Sequence, residues 1–434
     1  MQAGFSKATI NPPLGMPMEG LGQVGGCTSI HDDLYVRALY VSDQGNEVLI
    51  VSFDLLFFER AVIDRYKGSL GALLALRPDQ ILLNVTHTHA GPRLTRWAYS
   101  GAPEEEYLDQ IQAALHAAAL RAKASQKPVT LWAGSTKSSL PVSRRKIDEH
   151  GKAHWFPTRK GTICEAQPFC VLKDEAGAVV SVLTSIACHP SMIYKLEISA
   201  DYPGVTVRKL NEHFKTEGAM FLQGAAGDTK PRQVADESVG WRQGSWEQVE
   251  AAGTEVAQAV IDASATGLKR VKPELRTSLG YIAWPLNAPP SRAELEEIKL
   301  NLGQGQRRVW AADMLSKLDR GVKLPTSVPL TVHFMQLGSG LRMVGVEGEV
   351  LAKLGLQMLG VYDKGVTFAL GYTNGTQIYL PVTEELPQGG YEVDSYWEYH
   401  YPSACAPGCE KVLIDELRRV RDSGVIPNTD VTAV

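Results

Sequence analysis

The chain has 434 residues, enough for one large domain or two ordinary ones, and its 44% hydrophobic and 21% charged residues are those of a globular protein that folds in water. A net charge of -4, with no basic run longer than Arg144-Arg145-Lys146, argues against a nucleic-acid-binding surface. No apolar run reaches the roughly 20 residues that span a bilayer, so no membrane insertion is expected.

Residues 1–10 carry neither the basic nor the apolar segment of a secretory leader, and they read as the start of an edge strand. Residues 34–41 and 48–57, β-branched and aromatic-rich, flank a polar turn and read as a hairpin. An apolar strand beginning at Ile81 ends in His87-Thr88-His89 and a Gly-Pro turn. Residues 103–122 place Tyr107, Ile111, Leu115 and Ala118 on one helical face, with Pro103 near the first helical position. Strands follow at 129–135, 169–173 and 179–187, the last running straight into Cys188-His189-Pro190. A helix over 203–214 leads to a short buried strand, 219–223, and a glycine-rich turn. Residues 246–263 and 292–318 are helical, the second stretch as a hairpin covering the sheet. Strands return at 330–337, 341–346 and 367–371, with helices at 350–359 and 410–421. The pattern predicts an α/β fold: one large domain over 1–428 with mixed sheets flanked by helices, and a short tail, 429–434.

Six cysteines spread over this length (Cys27, Cys164, Cys170, Cys188, Cys405 and Cys409) fit reduced thiols and a cytoplasmic location. Cys405 and Cys409 with His400 would make only a partial structural metal site.

Polar residues stand at the ends of four strands, where side chains can face a cleft. Alternate strand residues share a face, so the imidazoles of His87 and His89 can converge, and imidazole is the commonest ligand of a catalytic transition metal. His189 ends a second strand, Asp228 and Lys230 lie in the loop after a third, and Glu347-Gly348-Glu349 follows a fourth. Each has a plainer reading. The histidine pair can cap a buried strand, His189 before proline can be structural, and Glu349 can complement a helix start. Lys230 can be a solvated loop charge.

The set Thr86-His87-Thr88-His89-Ala90-Gly91-Pro92, Ala187-Cys188-His189-Pro190-Ser191, Gly227-Asp228 with Pro231, Gly348-Glu349, and Tyr379 with Tyr391 twelve residues later resembles the catalytic domain of the neutral/alkaline ceramidases. The opening (Gly4-Phe5-Ser6-Lys7-Ala8-Thr9-Ile10, then His31-Asp32-Asp33, then Ser52-Phe53-Asp54-Leu55) is similar too, and motif order holds from about residue 4 to about residue 400. The resemblance implies one catalytic zinc per chain, held by His87, His189, Glu349 and Tyr379. It places His89 beside the metal as a second-sphere or acid/base residue, and Asp228 in the catalytic Gly-Asp loop. Arg144, with Arg145 as a close competitor, faces the reacting carbonyl, and Tyr391 donates a hydrogen bond to it. Apart from the resemblance, Asp32, Asp33 or Asp54 on the hairpin could be recruited to a second metal, or Asp54 could orient a ligand histidine. The implied reaction is hydrolysis of an amide by metal-activated water.

Three departures shift the expected substrate. Lys230 stands where the family carries a serine, the chain ends before any C-terminal β-sandwich, and no strongly apolar segment offers a wall for two alkyl chains. Trp97, Trp155, Trp241 and Trp397 suit a mixed or polar ligand. The expectation is a small, anionic acyl substrate met by Lys230 and Arg232 beside Arg144. Alternatives are an ester or lactone bond at the same zinc, ceramide itself, and a non-catalytic binding protein on a hydrolase scaffold. The sequence leaves the oligomeric state open.

Overall fold

The strands of this chain are apolar on both faces, which requires a covering layer on each side. The computed structural model describes residues 1–20 and 25–432. Gln2–Thr9 (β1), Tyr35–Asp43 (β2), Asn46–Phe53 (β3), Ile81–Val85 (β4), Lys127–Lys137 (β5), Ala166–Asp174 (β6), Val179–Ile186 (β7) and Ala219–Gln223 (β8) build a large mixed sheet in the order β8-β7-β6-β5-β1-β2-β3-β4. Pro273–Pro285 (β9), Ser327–Gly338 (β10), Leu341–Val346 (β11) and Val366–Leu370 (β12) form a second sheet in sequence order.

On β2 and β3, Val36, Ala38, Tyr40, Leu49 and Val51 face helices Arg60–Leu74 (α1) and Glu105–Ala124 (α2). The alternate residues Leu39, Val41 and Ile50 face Met335, Met343 and Phe368 of the second sheet. Further along the large sheet, Val182 and Phe221 pack on Asp201–Phe214 (α3) and Trp246–Thr266 (α4). The outer face of the second sheet is covered by Leu354 and Met358 of Ala352–Val361 and by Leu413 and Leu417 of Cys409–Asp422. The result is four layers, helix–sheet–sheet–helix, as the period-2 burial of the strands demands.

Within these sheets the parallel pairs are β3 with β4, β7 with β8, and β11 with β12. Their carboxyl ends lead to Thr86–His89, Cys188–His189, Gly224–Asp228, Glu347–Glu349 and Tyr372, so one edge of the two-sheet stack gathers the chemistry. Bridges between Asn84 and Thr373 and between Gly224 and Leu370 join the sheets there. The Asn84 side chain fastens that joint. Its Nδ2 donates to Gly371 O at 2.9 Å, and its Oδ1 accepts from Gln223 N at 2.8 Å.

Several elements differ from the sequence expectation. β1 is an interior strand, because it pairs with β2 along its length and with β5 through Gln2 and Ala3. The rest of its second side lies under α2, so close that a Cβ on Gly4 would fall 2.1 Å from Ala122 O. Periodicity reports which face is buried and is silent about sheet neighbours. The hairpin of Arg292–Leu300 and Arg307–Asp319 packs on Tyr396 and Trp397 rather than on a sheet. The expected tail is tied down where it is described. Arg342 Nη2 donates to Thr429 O at 2.8 Å and Lys272 N to Thr432 O at 3.1 Å, while residues 433 and 434 lie outside the described residues. Among the described residues no helix is long and apolar enough to cross a membrane.

Asn84→Leu removes the bonds at the sheet joint and strands the buried Gln223 N–H, while Gly371 O keeps the Thr373 hydroxyl at 2.9 Å. At about 1–3 kcal/mol for an unmade buried group, it is expected to lower unfolding free energy by about that much in denaturant titration, with the m-value unchanged.

Candidate metal centre

β4 ends at Val85, and Thr86 N and His87 N then donate to Phe53 O (2.8 Å) and Leu55 O (2.9 Å). His87 has φ 67°, a left-handed backbone that few non-glycine residues adopt. The two histidines therefore converge through a turn, not through strand alternation as the sequence reading supposed. His89 N donates to Pro190 O at 3.0 Å, joining this turn to the loop of His189. Gly20 closes over His89. Its φ is 126°, and a Cβ there would lie 2.8 Å from the His89 ring.

Each imidazole is fixed by its Nδ1. His87 bonds Leu56 O at 2.8 Å, His89 bonds Gly20 O at 2.9 Å, and His189 bonds Ala226 O at 2.6 Å. A carbonyl only accepts, so each Nδ1 carries the proton and each Nε2 of a neutral ring is bare. The bare atoms face one another: His87 Nε2 lies 3.2 Å from His189 Nε2 and 3.3 Å from His89 Nε2. Burial, and then the Arg144 charge, pushes His189 down to about 3, and burial with the two neighbouring rings holds His89 well below its ordinary value. The three rings, with ligand atoms within 4.8 Å of one another, can hold a metal ion.

Glu349 Oε2 completes the group, 3.4 Å from His87 Nε2 and 3.3 Å from His189 Nε2. Glu349 lies on no helix start, correcting that reading. Glu349–Val350 pairs in parallel with Tyr379–Leu380, placing Glu349 directly opposite Tyr379. The hydroxyls of Tyr372 (3.2 Å) and Tyr399 donate to its carboxylate. The Tyr379 hydroxyl accepts from Arg144 Nη2 at 2.8 Å.

Arg144 is held by Glu392 through Nε at 2.7 Å and approaches His189 Nε2 at 3.4 Å. It lines a cleft of about 400 Å³ together with His87, His89, Glu349, Tyr379, Tyr391 and Lys230. Arg145 turns to Glu392 and Gly389 O instead. The Tyr391 hydroxyl donates to Glu398 Oε2 at 2.7 Å, and burial pushes Glu398 up to about 7.

Lys230 is buried, not solvated: 1% of its surface is exposed. Its Nζ donates to Tyr194 OH at 2.6 Å and sits 5.0–5.2 Å from the rings of Trp155, Tyr194 and Trp241. Burial, and then Arg144, lowers it from 10.5 to about 7. Arg232 lies away from the cleft, exposed and bonded to Glu255 at 2.6 Å, because the residue after Pro231 turns outward. Asp228 Oδ1 accepts from Ala352 N at 2.7 Å and its carbonyl accepts from Arg144 N at 2.8 Å, so its bonds position the Gly-Asp loop. Asp54 bonds Arg37 and Tyr35 N, and Asp32 bonds Ser199 and Ala200. The three histidines are oriented by backbone carbonyls rather than by these acids. All six cysteines are free and buried, and His400 bonds Arg96 O.

Ser191, Tyr372, Glu392, Glu398 and Tyr399 went unread in the sequence as site residues. The aromatic and acidic run Tyr391–Tyr401 was the available signal, and Ser191 stood inside a quoted motif without a role. A larger groove of about 780 Å³ between β2 and α3 is rimmed by charges paired with one another, such as Lys7 with Glu217 at 2.6 Å.

This architecture matches solved structures along its whole length. Neutral ceramidase from Pseudomonas aeruginosa aligns with 100% of this chain and 76% of its own, at TM-score 0.73 and 17% identity. The chain has a neutral ceramidase-like fold. A ceramidase complexed with C2 aligns at TM-score 0.74 and 16% identity over the same shares. No protein-family model and no curated protein matches the sequence of this ceramidase-like chain.

Lys230 gives the fold a pH signature. The unfolded chain keeps this proton up to about pH 10.5, the folded one only to about 7, so the residue destabilises fully below pH 7 and progressively less as pH rises to 10.5. Lys230→Met is expected to be more stable than wild type at pH 6, with the gap closing toward pH 10 in parallel urea titrations.

Proposed function

We propose that this chain is a zinc-dependent hydrolase that cleaves an amide bond of a small, negatively charged acyl substrate. The observation that carries the reading is the convergence of three bare Nε2 atoms and one carboxylate at the floor of an open cleft. Imidazoles with a carboxylate suit a borderline ion such as zinc, with His87, His189, Glu349 and Tyr379 as the proposed ligands. Such an ion supplies Lewis acidity and an activated water at neutral pH. The structural neighbours are named as ceramidases, enzymes of amide cleavage, which favours that bond over others.

The chain's own residues supply the rest. Arg144, locked by Glu392 and Tyr379, presents a fixed positive charge where a carbonyl oxygen gains negative charge. Tyr391, edge-on to Tyr379 at 5.7 Å, brings a hydroxyl to the same region. His89 is held by Gly20 O with Nε2 toward the cleft, placed to take a proton and pass it to the leaving nitrogen. Lys230 supplies a buried positive charge for the anionic part of the substrate. The cleft's 400 Å³ is near the low end for sites that enclose drug-sized ligands, which disfavours a two-chain lipid.

The test is turnover of zinc-replete protein on N-acyl amino acids, small lactones and ceramide. Small anionic amides are expected to be hydrolysed at least about tenfold faster than ceramide by kcat/KM, and His87→Ala to lose at least about 100-fold. Faster turnover of ceramide overturns the substrate reading, and unchanged turnover by His87→Ala overturns the metal reading.

A further inference from the structure

We infer that Lys230 and Ser191 together form a subsite for a single carboxylate, so that the substrate class is an amide that also bears a carboxylate, of which N-acyl amino acids are the simplest. This rests on the reading of the cleft as the substrate site.

Both residues line the cleft and both are 1% exposed. Ser191 Oγ is buried without a hydrogen-bond partner, and an unmade bond of this kind is unfavourable unless a ligand satisfies it. Among the described residues, Lys230 Nζ meets the Tyr194 hydroxyl and three ring faces but forms no ion pair with a carboxylate. A buried ammonium surrounded by aromatic rings keeps its desolvation penalty until an anion arrives. Arg144, by contrast, already has a counter-ion, since its Nε donates to Glu392 at 2.7 Å, and its Nη1 turns toward His189.

Counting donors narrows the ligand. The ammonium has three N–H bonds, one given to Tyr194, and the serine adds one O–H, which leaves three donors and one positive charge. A carboxylate brings one negative charge on two oxygens. A phosphate monoester brings nearly two charges on three oxygens and would leave charge and acceptors unmet. Trp155 is 45% exposed beside Lys230, a flat apolar surface for the side chain next to the carboxylate.

The test uses non-hydrolysable probes: the ketomethylene isostere of N-acetyl-L-leucine, its primary carboxamide and its phosphonate. Binding is read from tryptophan fluorescence, since Trp155 and Trp241 flank Lys230. Wild-type protein is expected to bind the carboxylate at least tenfold tighter than the carboxamide and tighter than the phosphonate. Lys230→Met, which keeps the stem length and is checked for folding by thermal melting, is expected to reduce that preference below twofold without weakening the carboxamide. Ser191→Ala is expected to weaken the carboxylate alone, three- to tenfold. Equal binding of carboxylate and carboxamide, a preference that survives Lys230→Met, or tighter binding of the phosphonate overturns the subsite. A Lys230-dependent preference in protein that hydrolyses no amide supports the subsite and overturns the hydrolase reading, whereas turnover without the preference does the reverse.

Discussion

Three backbone carbonyls set the arrangement of the candidate metal centre. Leu56, Gly20 and Ala226 each take the Nδ1 proton of one histidine, and the consequence is three bare nitrogens pointed at each other in a buried space. These nitrogens stand 3.2–3.3 Å apart, and burial opposes protonation of His89 and His189. A shared cation would satisfy the arrangement. Backbone-oriented imidazoles are also a rigid way to preset a coordination geometry, since the partner atoms belong to strand ends rather than to mobile side chains.

The fold explains how residues so far apart in sequence reach one point. In each sheet the parallel pairs finish at the same edge, and Asn84 stitches the edge of one sheet to that of the other. Around the histidine cluster the charges are arranged in shells. Arg144 and Arg145 share Glu392, Glu349 is held by two tyrosines, and Lys230 alone among these groups has aromatic rings in place of a counter-ion. That asymmetry separates a candidate metal floor and an arginine wall held by Glu392 from a corner without a counter-ion.

Much of this was legible in the sequence because it is local. Apolar, β-branched runs gave the strands of the large sheet and three of the four in the second, and strand-terminal polar residues marked His87, His89, His189 and the Glu347–Glu349 turn; Pro273–Pro285 went unread because it is mostly half-exposed and carries no apolar run. Where the reading failed, the cause was non-local. The pairing of Glu349–Val350 with Tyr379–Leu380 is parallel, between short segments about thirty residues apart, and two-residue strands leave no periodic trace. The left-handed turn at His87 reproduced by a different route the convergence expected of strand alternation. Lys230 resembled a loop charge because its cage comes from Trp155, Tyr194 and Trp241, which lie on three separate segments. Tyr399 and Glu398 were hidden in an aromatic run whose period fits no regular element. Arg232, adjacent to the cleft in sequence, faces away from it because the chain turns outward at Pro231.

The most direct test of the account is anomalous diffraction from crystals grown with zinc, recorded at the zinc absorption edge. The account predicts one strong peak per chain between His87 Nε2, His189 Nε2 and Glu349 Oε2, at about 2.0–2.2 Å from each. A map without a peak there, with the three imidazoles unmoved in metal-replete protein, would contradict it.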